Sequence, residues 1–147
     1  MQPSIIYETL ANDDLLAGLL GTTAPIQPNT RIFELQSLNE RPNVDNGYFI
    51  ILDFQESDQL NRHRLGPRIL QIWVHTPLEW GADYDHIVRI QNQIDRLIMP
   101  LELIAGNDGV RLTLIEKHGR SRNTTDPGWK TATRNALYGV LYDESSI

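Results

Sequence analysis

Apolar residues near the start of the chain recur every three or four positions, which is the spacing of an amphipathic helix. The pattern runs from Ser4 to Leu20 and is interrupted by three polar residues that begin at Asn12. We therefore predict a helix capped by Ser4, a kink, and a second short helix capped by Asn12 or Asp13. Gly21 is suited to end it, because glycine adopts the left-handed conformation of a helix C-terminus without strain.

The most regular helical pattern lies between Asp83 and Met99. Its apolar residues fall on one stripe of the helix, and most of its polar residues fall on the other side. Asp83 is a suitable N-cap, and a proline directly after Met99 limits the far end. Ile94 lies within the apolar stripe, so we predict that its side chain is buried.

Five further segments have the apolar pattern of β-strands. The strongest, Tyr48–Gln55, is almost continuously apolar, which predicts burial on both faces and a central place in a sheet. The other predicted strands are Arg31–Leu35, Arg68–His75, Val110–Glu116 and Ala132–Tyr142. This order of elements predicts an α+β fold, with a mostly antiparallel sheet of four or five strands and two helices packed on one face.

The length of 147 residues and the hydrophobic content of 40% fit one domain with one core, to which we assign residues 1–147. Two polar segments, 56–66 and 118–130, interrupt the strands, and we predict that both extend from the sheet as long loops. The chain carries 13 basic and 19 acidic residues, for a net charge of −6. This charge argues against broad nucleic-acid binding and against a polybasic membrane anchor.

The sequence contains no motif that predicts catalysis or a cofactor. It has no cysteine, its four histidines form no zinc-binding pair, and it lacks glycine-rich phosphate loops and a serine elbow. Asp83, Asp85 and His86 are the densest set of potential metal ligands, but acidic residues at a helix start are better explained by capping. Asp53, the acid within the most apolar strand, could serve acid–base chemistry, although an outward-facing or edge position explains it more simply.

Basic residues in the two predicted loops stand out against the acidic background. A positive loop on a negative body favours docking onto a complementary patch of a neighbouring copy, although a solvated loop tip has the same pattern. Tryptophans 80 and 129 lie beside glycines in loop-like sequence and are candidate interface anchors. The residues that we predict to bind a partner are Arg62, Arg64, Arg68, Arg120, Arg122, Trp129 and Lys130.

The opening of the chain and the order of its later elements carry a family resemblance. The spacing L-x-x-D-x-x-L-x-x-L-L-G is formed by Leu10, Asp13, Leu16, Leu19, Leu20 and Gly21. It is similar to the start of the tail terminator (tail completion, head–tail joining) proteins of long-tailed bacteriophages. The order of strands and helix resembles this family over nearly the whole chain, whereas the long Arg31–Tyr48 interval and the 117–130 segment depart from it.

The resemblance implies a structural virion protein with no enzymatic activity and no cofactor. Its copies would form a ring, typically a hexamer, on the last ring of the tail tube, and would thereby stop tube polymerisation. The implied partners are other copies of the chain, the tail tube protein and head-completion or connector proteins. DNA would pass through the lumen without specific binding, and no membrane is involved. The implied location is the tail or neck of the virion, after assembly in the host cytoplasm.

Other functions remain open on the sequence alone. One is another neck or head-completion protein of the same virion, although the element order fits mostly helical connectors less well. A second is a small α+β enzyme or ligand-binding domain. It would need a pocket with convergent polar groups, whereas the candidate polar residues are spread over turns. A third is a regulatory binding module of a bacterial cell.

Overall fold

The computed structural model describes residues 3–55, 68–81 and 83–142. Within these residues the chain forms three α-helices and six β-strands. The helices are α1 (Ser4–Ala11), α2 (Asp14–Leu20) and α3 (Tyr84–Ile98). The strands are β1 (Ile32–Glu34), β2 (Phe49–Gln55), β3 (Arg68–Pro77), β4 (Leu112–Arg120), β5 (Thr124–Asp126) and β6 (Thr131–Tyr142). No helix in these ranges is long and apolar enough to cross a membrane.

The six strands form one sheet in the order β1-β2-β3-β6-β4, and β5 also pairs with β6. Because β3 pairs with β6 from Thr131 to Val140, both β4 and β5 lie on the other edge of β6. All pairs are antiparallel except β1 with β2. The predicted α+β class, the mostly antiparallel sheet and the interior place of β2 are confirmed. The described sheet has six strands instead of four or five, because β5 was not predicted.

The segment 118–130 shows where the loop prediction is wrong. Strand β4 continues through Arg120, and Thr124–Asp126 forms β5, so this segment is one arm of a long hairpin with β6. The turn of the hairpin spans residues 127–130. The segment is polar because β4 and β5 are edge strands, and charged side chains are common on exposed edges. Its polar composition therefore does not indicate a loop. The other predicted loop, 56–66, lies outside the described residues.

The first two helices form largely as predicted. Asp13 caps α2, because its Oδ2 accepts a hydrogen bond from Leu16 N at 2.8 Å. Gly21 ends α2 with a left-handed φ of 86°. The prediction that Ser4 is an N-cap is wrong, since Pro3 holds that position and no side chain caps α1. The Ser4 hydroxyl instead accepts a hydrogen bond from Asp108 N in a distant turn.

One face of the sheet, which we call the helix face, forms the main core with the three helices. Helix α3 supplies the apolar stripe predicted from the sequence, and its N-cap is Asp83, as predicted. Burial of such side chains is the main favourable contribution to folding. The fully or almost fully buried isoleucines of the stripe are Ile87, Ile90, Ile94 and Ile98.

The opposite face of the sheet, which we call the outer face, is covered only in part by the described residues. A small second core forms where the loop before β2 folds over this face. Arg41 holds that loop in place by donating hydrogen bonds to the carbonyl oxygens of Trp129 and Val44, both at 3.2 Å. Farther along the same face, Asp53 and Gln71 are only half-buried. The outer face therefore keeps an accessible area.

The burial of the α3 stripe can be tested with the substitution Ile94→Asp. Ile94 is 1% exposed, so an unpaired carboxylate there should lower the free energy of unfolding by roughly 3–5 kcal/mol. Asn92→Asp is the matched control, because it adds the same charge at an exposed position of the same helix and should change stability by less than about 0.5 kcal/mol. Urea unfolding measures both. Equal midpoints for the two variants would show that the stripe is not buried.

Candidate assembly interface

Of the three arginines predicted in or beside the first polar loop, Arg62 and Arg64 lie outside the described residues, and Arg68 begins β3. Arg68 Nη1 donates a hydrogen bond to the Tyr142 hydroxyl at 2.6 Å. The guanidinium carbon also lies 4.8 Å from the centre of the Tyr142 ring, which is a cation–π contact. Arg68 therefore joins the start of β3 to the end of β6 within one chain.

Arg120 and its neighbour in β4, Lys117, point to the helix face and bind Asp95 of α3. Asp95 Oδ2 lies 2.5 Å from Arg120 Nη2 and 2.6 Å from Lys117 Nζ. Asp95 Oδ1 accepts a hydrogen bond from the Tyr138 hydroxyl of β6. Burial favours a higher pKa for Asp95, but hydrogen bonds from Lys117, Tyr138 and Arg120 outweigh it and hold that pKa below its usual value. This Asp95 cluster joins α3, β4 and β6.

Arg122 has a different environment from Arg120, although we predicted both in one loop. It lies in the short bulge between β4 and β5, and its side chain is exposed. Among the described residues its guanidinium makes no hydrogen bond and no ion pair. The residues on either side are held in place, because Ser121 N donates to Asn135 O at 2.8 Å and Asn123 Oδ1 accepts from Arg134 at 2.7 Å. The bulge thus presents one free guanidinium at the edge of the sheet.

The hairpin tip places Trp129 over the outer face and leaves Lys130 exposed. Trp129 packs beside His75, with 5.1 Å between ring centroids, and His75 stacks on Phe49 at the same distance. His75 Nδ1 shares a hydrogen bond of 2.7 Å with the Thr131 hydroxyl. Burial lowers the pKa of His75 to about 4, with an opposing effect from Asp126 and a reinforcing one from Arg41. The imidazole is therefore neutral at pH 7.

Beside this aromatic cluster is a cavity of about 270 Å³, which we call the outer-face groove. Asp53 lies in it, and its outward position agrees with the simpler explanation drawn from the sequence. Asp126 is the second carboxylate, and its Oδ1 accepts a hydrogen bond from Trp129 N at 2.9 Å. Asp53 makes no hydrogen bond or ion pair with another described residue. The lining residues are Leu35, Ile51, Asp53, Gln71, Trp73, His75, Asp126 and Trp129.

A larger cleft of about 600 Å³ lies between the end of α2, the start of β2 and the start of α3. Trp80, which is 51% exposed, packs edge-on against Tyr48 with 5.6 Å between ring centroids. The polar side chains that line the cleft already make hydrogen bonds within the chain. Arg31 Nη1 donates to Asn46 O at 2.5 Å, and His86 Nε2 donates to Leu19 O at 2.6 Å. Among the described residues that line it, the cleft therefore has no converging set of free polar groups.

The potential metal ligands at the start of α3 are also explained by the helix. Asp83 Oδ1 accepts a hydrogen bond from His86 N, as an N-cap does. Across residues 3–55, 68–81 and 83–142, no three histidine, aspartate or glutamate side chains are grouped as a metal site. The structure thus supports the capping interpretation of Asp83.

Comparison with known proteins gives a structural match. No protein-family model matches the chain, and no curated protein matches it. The fold is similar to a chain in the virion of a native gene transfer agent (GTA) particle, with a TM-score of 0.57 and 12% sequence identity. The match covers 94% of this chain and 92% of that chain. The two chains therefore share a fold over nearly their whole lengths.

The contrast between the two arginines predicts that charge reversal destabilises the chain at one position and has little effect at the other. Arg120→Glu places a second carboxylate beside Asp95 and should lower the free energy of unfolding by about 2 kcal/mol or more. Arg122→Glu changes an exposed, unpaired side chain and should change it by less than about 0.5 kcal/mol. Urea unfolding of both variants measures the difference. The Asp95 cluster would have no stabilising role if Arg120→Glu unfolded at the wild-type midpoint.

The buried His75 predicts a dependence of stability on pH. Its pKa is about 4 in the folded chain and near 6.5 when unfolded. The unfolded chain therefore binds more protons between these values, and stability rises with pH through this window, by roughly 3 kcal/mol in total. This contribution is fully lost below pH 4. His75→Gln should flatten the rise, measured by urea unfolding from pH 4.5 to 7, whereas His118→Gln, at an exposed site, should retain it. A His75→Gln slope equal to that of the wild type would contradict this account.

Proposed function

We propose that this chain is a structural protein of a phage-like virion, and that its copies form a closed ring that caps the tail tube and joins the tail to the head. The observation that carries the proposal is the fold shared with a chain of the GTA virion over 94% of the sequence. The order of elements, which resembles the tail terminator proteins, supports the finer assignment. Other copies, the tube protein and head-completion proteins are the proposed partners.

The β4 edge of the sheet has features that favour an assembly of limited size. An exposed edge strand can pair with further strands without limit, whereas charges and bulges prevent this. Strand β4 has both features: its register shifts between Leu112 and Leu114 and again between Lys117 and Gly119, and Glu116 and Lys117 are exposed on it. Association through side chains at defined sites is therefore favoured over open-ended strand pairing, as a capping ring requires.

The distribution of surface features is compatible with a ring. Asp53 in the outer-face groove and the Arg122 bulge lie on different strands of the same sheet. A contact between two different surfaces is heterologous when each copy receives it from one neighbour and makes it to another, and it gives a closed ring when the rotation per copy divides a full turn. The net charge of −6 also disfavours adhesion of DNA in a lumen, which fits passage without specific binding. No cofactor or enzymatic step belongs to this proposal.

The proposal can be tested by disrupting the gene for this chain in the genome that carries it. Without a tail terminator, tubes should grow to uncontrolled lengths and should not join heads, because nothing blocks addition of the next tube subunit. Electron microscopy of lysates measures tube length and joining, and the intact gene supplied in trans is the control.

The other outcomes of this experiment identify the alternatives. Tubes of normal length that do not join heads would contradict the terminator role and indicate a head-completion protein of the same virion. Particles indistinguishable from wild type would contradict a structural role and favour a ligand-binding domain, an enzyme or a regulatory module.

A further inference from the structure

We propose that Arg122 of one copy binds Asp53 in the outer-face groove of the next copy, beside the tryptophans that line the groove. This inference rests on the proposed assembly into a ring and names the contact that would close it. It assigns a ligand to the groove and a role to the one guanidinium that the hairpin presents.

The groove has the chemistry that binds an arginine. Two carboxylates, Asp53 and Asp126, line it without any lysine or arginine among the other lining residues. Trp73 and Trp129 add indole rings, on which a guanidinium stacks more readily than an ammonium ion. The volume of about 270 Å³ lies just below the range of small-molecule pockets, so it suits one long side chain.

Asp53 is the central acceptor in this argument. It is half-buried, and it has no hydrogen-bond or ion-pair partner among the described residues. A carboxylate in this position gains most from an arginine, because the planar guanidinium can donate two parallel hydrogen bonds to its two oxygens.

Arg122 is presented in a fixed place on the molecule. Its neighbours are anchored to β6, and the Tyr84 hydroxyl donates to Thr124 O at 2.6 Å, which joins β5 to α3. A side chain on a preorganised segment loses less entropy on binding than one on a free loop. The bulge thus presents its guanidinium to a partner with a small loss of conformational entropy.

Asp53 and Arg122 of the same chain are too far apart to bind each other. Asp53 lies on β2, and the bulge lies on the edge beyond β6, with β3 between them. Three strand spacings separate them, which is roughly 14 Å. The Arg122 that enters a groove must therefore come from another molecule, and each copy can offer both a groove and an arginine.

Several other cations among the described residues fit this role less well. Arg31, Arg41, Arg68, Arg120 and Arg134 all donate hydrogen bonds within the chain. Lys130 lies at the hairpin tip, directly beside Trp129, and its ammonium group lacks the planar fork. Arg111 is exposed but lies before β4, away from the bulge, and it provides a matched control.

Charge exchange between the two sites tests the contact. The variants are Asp53→Arg, Arg122→Asp, the double variant that carries both, and the control Arg111→Asp, and the mass of each in solution is measured by size-exclusion chromatography with light scattering. We expect each single variant to dissociate at concentrations at least tenfold higher than the wild type. The double variant should recover assembly because the pair is restored with its charges exchanged, and the control should assemble as the wild type does.

Mixing the two single variants gives a second readout. Their charges are complementary in both directions, so an equimolar mixture should assemble with alternating copies even though neither variant assembles alone. Unchanged far-ultraviolet circular dichroism and urea midpoints check that each variant is folded. A milder variant, Asp53→Asn, removes the charge without adding bulk and should also weaken assembly.

The outcomes separate this contact from the proposed function. If Arg122→Asp assembles like the wild type, or if neither the double variant nor the mixture recovers assembly, the contact is wrong. The ring itself is then still tested independently by the gene disruption described above. A wild-type chain that stays monomeric at all concentrations would contradict both the contact and the ring.

Discussion

The packing of the isoleucine stripe of α3 against one face of the sheet is the contact on which the rest of the molecule depends. This stripe excludes water from the helix face together with α1 and α2, and its residues are at most 1% exposed. The Asp95 cluster then ties the same helix to strands β4 and β6, so the edge strand is held to the core by ionic hydrogen bonds. Because the three helices of the described residues lie on that face, they leave part of the outer face accessible, at Asp53 and Gln71.

The elements that follow local rules were predictable from the sequence. The stripe of α3, the Asp13 cap and the Gly21 terminus depend on residues within one or two helical turns, and the structure confirms them. Ser4 failed as a cap because its hydroxyl takes part in a contact 104 residues away. Local spacing carries no information on such a partner.

For the candidate site, the sequence predicts the basic residue types but not their arrangement. The sequence predicts Arg120 and Arg122 in one basic loop. In the structure, strand alternation and the bulge after β4 place Arg120 beside Asp95 and leave Arg122 without a partner among the described residues. The acidic groove could not be predicted, because Asp53, Asp126 and Trp73 come from three separate strands that only the sheet register brings together. A β-strand hidden in a charged segment also escaped prediction, since edge strands lack the apolar alternation of interior ones.

Our central proposal is that identical copies of this chain join into a ring that caps the tail tube. An electron cryomicroscopy reconstruction of the particle that the genome encodes, at a resolution that traces side chains, tests it most directly. The account predicts density for this chain as a closed, rotationally symmetric ring between the tube and the head-proximal proteins. Absence of the chain from the particle, or its presence as separate copies that do not touch one another, would contradict the account.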